Sequence, residues 1–172
     1  MKKFSLLLIT LLIAGCGYST KSVLPENHRT IFVPPFENKI DFVNADDRKL
    51  YVAGLESRTR EAVVDRYLFD GNLRVGEQDT ADLVLKGQLI NFQREELRLQ
   101  TNETVKEYRI RVTAAFTLWD TAEKKAVWEE PAFAGEATYY TTGPLAKSES
   151  QAIDEAIKDL AVRIVGRTIE NW

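Results

Sequence analysis

The chain has 172 residues, 44% hydrophobic and 28% charged, with a formal net charge of −3. That is apolar material enough for one cored domain, and the acidic balance argues against a nucleic-acid surface, which needs a basic face. One cysteine and one histidine exclude a disulfide framework and are too few for a zinc set.

The first sixteen residues carry an address. Lys2 and Lys3 form a short positive region, and residues 4–13 are apolar apart from Ser5 and Thr10. That run is shorter than the about 20 apolar residues a spanning helix takes, so it reads as a signal peptide. Ile13, Ala14, Gly15 and Cys16 then follow in lipobox order. Two small residues let a peptidase grip the backbone, and the cysteine sulfur receives diacylglycerol. Several acyl chains, at about 0.8 kcal/mol per buried CH2, make such an anchor effectively stable. Gly17 stands where an Asp would signal retention at the inner membrane of a Gram-negative cell. The expected destination is therefore the outer membrane, with the domain facing the periplasm. Removing residues 1–15 from 172 leaves 157, and taking Lys2 and Lys3 from a net −3 gives −5. Once Cys16 is acylated no thiol remains, so stability must come from a core.

Residues 16–28 are polar and read as a tether, leaving residues 29–172 as a single periplasmic domain. Residues 29–36 (RTIFVPPF) are a first strand; Pro34 and Pro35 cannot donate to a ladder and end it or hold it at an edge. Residues 37–45 read as a loop. Asp46 or Asp47 can cap a helix reaching Phe69, with Val52, Leu55, Thr59, Ala62, Val63 and Phe69 on one stripe. Gly71 is placed for a left-handed cap.

Residues 73–75 read as a short strand and residues 81–99 as a long one. Residues 105–119 alternate most clearly: Tyr108, Ile110, Val112, Ala114, Phe116 and Leu118 share one face, and Glu107, Arg109, Arg111, Thr113 and Thr117 the other. Residues 120–125 are a turn, and residues 126–140 are a last strand that Pro131 makes an edge or a bulged strand. After a loop at residues 141–146, Ser148 and Gln151 form a capping box. It opens a helix to the C-terminus with Ile153, Ala156, Ile157, Leu160 and Ile164 on its apolar stripe. The order β-α-β-β-β-β-α predicts an α+β two-layer sandwich, two amphipathic helices on a mostly antiparallel four- to five-stranded sheet.

A hairpin turning at Asn102 and Glu103 makes paired residues sum to 205. Glu96 then meets Arg109, Arg98 meets Glu107, Arg94 meets Arg111 and Leu89 meets Phe116. Opposite charges across strands add a fraction of a kcal/mol each. The same register puts Gln93 and Glu95 on the apolar face, so the tip is expected to project beyond the helices.

Chemistry for catalysis is sparse. A Ser-His-Asp or Cys-His site needs a histidine base, and the one histidine is His28, beside the tether. There is no Gly-rich phosphate loop. The acid pairs Asp46-Asp47, Glu95-Glu96 and Glu129-Glu130 could serve a glycosidase, but they read better as solvated faces and a helix cap. A non-enzymatic binding or assembly module is the expected class, with no cofactor.

The mature chain resembles the LPS-assembly lipoprotein family, LptE. The landmarks are Cys16, Gly17 and Tyr18, the strand at residues 30–38 (TIFVPPFEN), residues 70–75 (DGNLRV) and residues 81–87 (ADLVLKG). Then come Glu107 and Tyr108, residues 126–129 (AVWE), and a terminal helix ending at Trp172. The resemblance implies a plug inside the LptD β-barrel of the outer membrane. Such a plug helps the barrel assemble, takes part in placing lipopolysaccharide in the outer leaflet and binds lipopolysaccharide itself.

The family's lipopolysaccharide contact includes a lysine in a Leu-Ala-Lys stretch before the last helix, matched here by Leu145, Ala146 and Lys147. Lipid A phosphates favour cations, and a helix start adds partial positive charge; Lys147 also reads as an ordinary solvated lysine. The family's arginine near the hairpin tip is missing, since Thr101 stands there, and Arg98 and Lys106 are the nearest basic residues. For contact with the barrel the resemblance points to residues 101–104 and 120–125 or to open edge strands. Two rival readings share the anchor. An activator of a peptidoglycan synthase or other envelope machine would differ only in its partner. A periplasmic hydrolase would show a cleft with converging acids.

Overall fold

The alternating residues 105–119 form an inner strand of the sheet. In the computed structural model, which describes residues 28–41, 52–99 and 105–170, the chain runs β1 (Thr30–Phe32), β2 (Glu37–Asn38), α1 (Leu55–Asp70) and β3 (Arg74–Val75). It continues through β4 (Leu83–Leu99), β5 (Val105–Asp120), β6 (Lys125–Tyr140) and α2 (Glu149–Glu170). The strand order is β3-β1-β4-β5-β6, with β2 also paired to β4. The two long ladders are antiparallel, and the short strands pair in parallel. Two helices therefore lie on a mixed sheet in the α+β two-layer arrangement. On β5, Ile110, Val112, Ala114, Phe116 and Leu118 are all buried, as a period of two requires of a strand with one covered face.

The helices follow their sequence signals where those signals are local. Gly71 ends α1 with φ 78°, its N–H reaching the Tyr67 carbonyl at 3.0 Å. At the start of α2 the capping box closes: Gln151 N–H donates to Ser148 Oγ at 3.2 Å, and Ser148 N–H to Gln151 Oε1 at 2.9 Å. All five stripe residues of α2 are buried. The two helices run in the same direction: Arg58 donates to Asp154 near their starts, and Tyr67 donates to Thr168 near their ends.

The structure corrects four expectations. Asp46 and Asp47 lie outside the described residues, and α1 begins only at Leu55, after Gly54 in the left-handed region at φ 68°. Its buried row is Leu55, Thr59, Val63 and Tyr67, spaced by four. Phe69 lies about 240° round the helix from Val63 at 3.6 residues per turn and is 80% exposed. Residues 37–38, expected in a loop, form β2 against Gln88 and Leu89, and the first strand is only three residues long.

The hairpin register is the fourth correction. Bulges between Leu89 and Asn91 and between Glu96 and Arg98 shift the pairing, so Arg94 meets Ile110, Glu95 meets Arg109, Glu96 meets Tyr108 and Leu89 meets Ala114. Of the predicted pairs only Arg98 with Glu107 stands. An extra residue swaps the faces of everything beyond it. Gln93 and Glu95 accordingly share the open face with Arg111 and Arg109, and Arg94 turns to the helix side. Pro131 sits where β6 slips register against β5, on the edge strand.

The chain enters the sheet through two carboxylates. Asp82 accepts from Arg29 N–H, Thr30 N–H and Thr30 Oγ1 at 2.7–2.9 Å. Asp120, buried at the end of β5, accepts from His28 Nε2 and from the N–H groups of Ala122 and Glu123, each at 2.8 Å. Burial raises the pKa of a carboxyl. Here the N–H donors outweigh it, with His28 beside them, and both acids are held below the usual carboxylate range.

Candidate functional site

The end of the sheet opposite His28 gathers the three basic residues singled out from sequence. Arg98 on β4 pairs with Glu107 on β5, which pairs with Tyr140 on β6. Thr141 N–H bonds to the Lys106 carbonyl at 3.0 Å, and Lys147 N–H bonds to the Tyr140 carbonyl at 3.2 Å. The loop before α2 thus adds a fourth short line of backbone through the Tyr140–Ala146 bridge. At about 4.8 Å per strand, Arg98 and Lys147 lie roughly 14 Å apart across this end, with Lys106 between them. Residues 101–104 and Cys16 lie outside the described residues.

Neither Arg98 nor Lys147 is a bare charge on an empty surface. The Arg98 guanidinium is 62% exposed and meets the Glu107 carboxylate at 3.6 Å. The Lys147 ammonium is held by Glu155, one turn and a half into α2, and is 28% exposed. Lys106 is half-buried at the start of β5. An anion arriving at Arg98 or Lys147 meets a cation already partnered by a carboxylate and must share or displace it. Exposed pairs of this kind are worth about 0–1 kcal/mol, so displacement is cheap.

Behind the tip stands a cluster that sequence reasoning missed. Arg94 donates to Glu149 at 2.8 Å and lies 5.0 Å from the Tyr108 ring centroid, while Tyr108 stacks on Tyr139 at 5.4 Å. Tyr139 also donates to Glu149 at 3.3 Å. Burial first, then the Glu149 charge, push its phenol up to about 12. The cluster ties the β4–β5 hairpin to the first turn of α2, next to Lys147. Its signal was hidden because the bulge in β4 decides which way Arg94 points.

On the open face, Glu95, Arg109, Arg111 and Glu136 alternate across three strands. Arg111 meets Glu136 at 2.7 Å, and Arg109 lies 3.6 Å from Glu136 and 3.7 Å from Glu95. The ladder balances its own charge, with Glu95 and Glu136 both paired to arginine. Among the described residues no group of three His, Cys, Asp or Glu is placed to hold a metal ion, and no helix is long and apolar enough to cross a membrane.

The family model for lipopolysaccharide-assembly LptE matches residues 29–168. No curated protein matches the sequence. Among solved structures, protein XCC0632 from Xanthomonas campestris is similar at 11% identity and TM-score 0.59, covering 87% of this chain and 88% of that one. Hypothetical protein CT253 from Chlamydia trachomatis has 10% identity and TM-score 0.52, covering 82% and 95%. A PelC dodecamer from Paraburkholderia phytofirmans has 12% identity and TM-score 0.50, covering 87% and 96%. At such identities these structures speak to the fold alone.

Proposed function

The chain belongs to the lipopolysaccharide-assembly LptE family, and from that premise we propose that it is the plug and assembly partner of an LptD-type outer-membrane β-barrel. It is exported, cleaved after residue 15, and held by lipid on Cys16 in the outer membrane, with its domain facing the periplasm and the barrel lumen. It takes part in inserting lipopolysaccharide into the outer leaflet and binds lipopolysaccharide itself, without catalysis. The observation that carries this reading is the family match over nearly the whole domain, residues 29–168. Lys147, Arg98 and Lys106 at one end of the sheet support it, since phosphate-bearing lipid A favours several cations within reach.

Purification of the tagged full-length lipoprotein from its own membranes in mild detergent tests the partner. A stoichiometric large barrel is expected to accompany it, and a Cys16→Ala chain is expected to lose that barrel. A peptidoglycan synthase in place of the barrel would overturn the reading. The lipopolysaccharide contact has a sharper test, because Glu155 competes for Lys147. Lys147→Ala is expected to weaken lipopolysaccharide binding and Glu155→Gln to strengthen it, each by about three- to tenfold, the equivalent of roughly 1 kcal/mol. Arg98→Glu adds a like-charge penalty and should weaken it further. Unchanged binding in all three variants would remove these residues from the site.

A further inference from the structure

We infer that the C-terminal end of α1 is a membrane-contact surface, whose partner is the phospholipid leaflet that holds the lipid on Cys16. The inference rests on the lipid-anchor reading given above and extends it to a second contact. Leu68 is 64% exposed and Phe69 80% exposed, in consecutive positions. The Arg66 guanidinium lies 5.1 Å from the Phe69 ring centroid. From Phe69 the surface continues into a groove of about 550 Å³ between the helices, with apolar Ala62, Ile157, Ala161 and Val162 in its lining and acidic and basic side chains of both helices around them. Neither side chain is needed inside: the buried row of α1 passes through Val63 and Tyr67.

Their position says what can cover them. Four residues separate Phe69 from Arg74, whose N–H bonds to the Arg29 carbonyl at 2.9 Å. His28, next to Arg29, is fixed to Asp120. The exposed pair is thus at the end of the molecule where the tether arrives. Eleven residues lie between Cys16 and His28, and they reach at most about 40 Å. The anchor therefore keeps this end within about 40 Å of the bilayer. A tether of that length gives an effective concentration on the order of millimolar, at which a weak two-residue contact is populated. Leu and Phe suit the acyl boundary, and an arginine beside them suits the phosphate level.

The test uses the full acylated protein, in which Cys16 offers no thiol. Leu68→Cys is labelled with an environment-sensitive fluorophore, and Ser150→Cys, at the opposite end, serves as reference. Each is reconstituted in phosphatidylethanolamine–phosphatidylglycerol vesicles with and without lipids carrying a nitroxide quencher. At position 68 a blue shift and loss of most of the emission to the quencher are expected, and at position 150 neither. Phe69→Asp added to the first chain should abolish both effects while leaving its circular dichroism unchanged. A water-like, unquenched label at position 68 on a chain with acyl mass and vesicle flotation would overturn this surface and leave the anchor standing. A chain without acyl mass overturns both. A blue shift that grows with protein concentration in detergent and shows no lipid quenching assigns the patch to a protein partner and overturns the proposal.

Discussion

Asp120 accepts hydrogen bonds from His28 and from two turn N–H groups while only 2% exposed. A buried carboxylate with that many donors is stable as long as it stays ionised. Asp120→Asn keeps the volume but discards the charge, and it is expected to cost about 1–3 kcal/mol in urea unfolding at neutral pH. The pH dependence has a definite sign. Because folded Asp120 and Asp82 titrate below their unfolded value of about 3.9, their contribution is fully present above that pH. It is lost as pH falls through the lower folded value. Stability measured by urea midpoint should therefore fall on the acid side of pH 4, and the Asp120→Asn chain should fall less. A parallel fall in both chains would show that Asp120 is not the titrating clamp.

At the scale of elements, what could be read from sequence was whatever depends on near neighbours. The β5 alternation, the Gly71 cap, the Ser148–Gln151 box and the α2 stripe each need only a few adjacent residues, and all are in place. Tyr67 and Phe69 are both apolar at the end of α1, and which of them is buried depends on what lies beneath. The register of β4 on β5 depends on three register shifts, which no alternation announces. The candidate site was legible only as separate residues, since Arg98, Lys106 and Lys147 come to one end of the sheet through strand pairing and the loop bridge at Ala146. Glycines of this layer make the packing testable. A Cβ on Gly135 would lie 2.3 Å from the Ala156 carbonyl and 2.4 Å from Leu160 N, both backbone atoms of α2. Gly135→Ala must push α2 off β6 and should cost about 1–3 kcal/mol. Gly166, inside α2, has nothing within 4 Å of its Cβ position, and Gly166→Ala should stabilise by about 0.5–1 kcal/mol. Opposite shifts in melting temperature are the expected result; similar shifts would mean that α2 does not pack as described.

Across the whole molecule, packing is graded from one end to the other. Both helices finish near the clamp of His28, Asp82 and Asp120, with Tyr67 and Thr168 hydrogen-bonded inside. At the far end β4 and β5 run out from under the helices: Phe92 is fully buried, whereas Leu97 is 39% exposed and Arg98 is exposed. Among the described residues β4 has no strand on its outer side beyond Leu89, where β2 stops. Hydrogen exchange should therefore grade along one strand. Amides of Leu85, Leu89 and Phe92 are expected to exchange only through global unfolding, and those from Glu96 to Arg98 through local opening. A plug that meets its barrel or its lipid at this end should order the hairpin on binding, so that protection rises at residues 96–98 and 106–108 with little change at Leu85. If protection is uniform along free β4, the tip is preorganised, and binding will show no change there. If it is graded when free and stays graded in the barrel complex, the partner contacts another surface, and the open face with Glu95, Arg109, Arg111 and Glu136 becomes the surface to test by charge reversal.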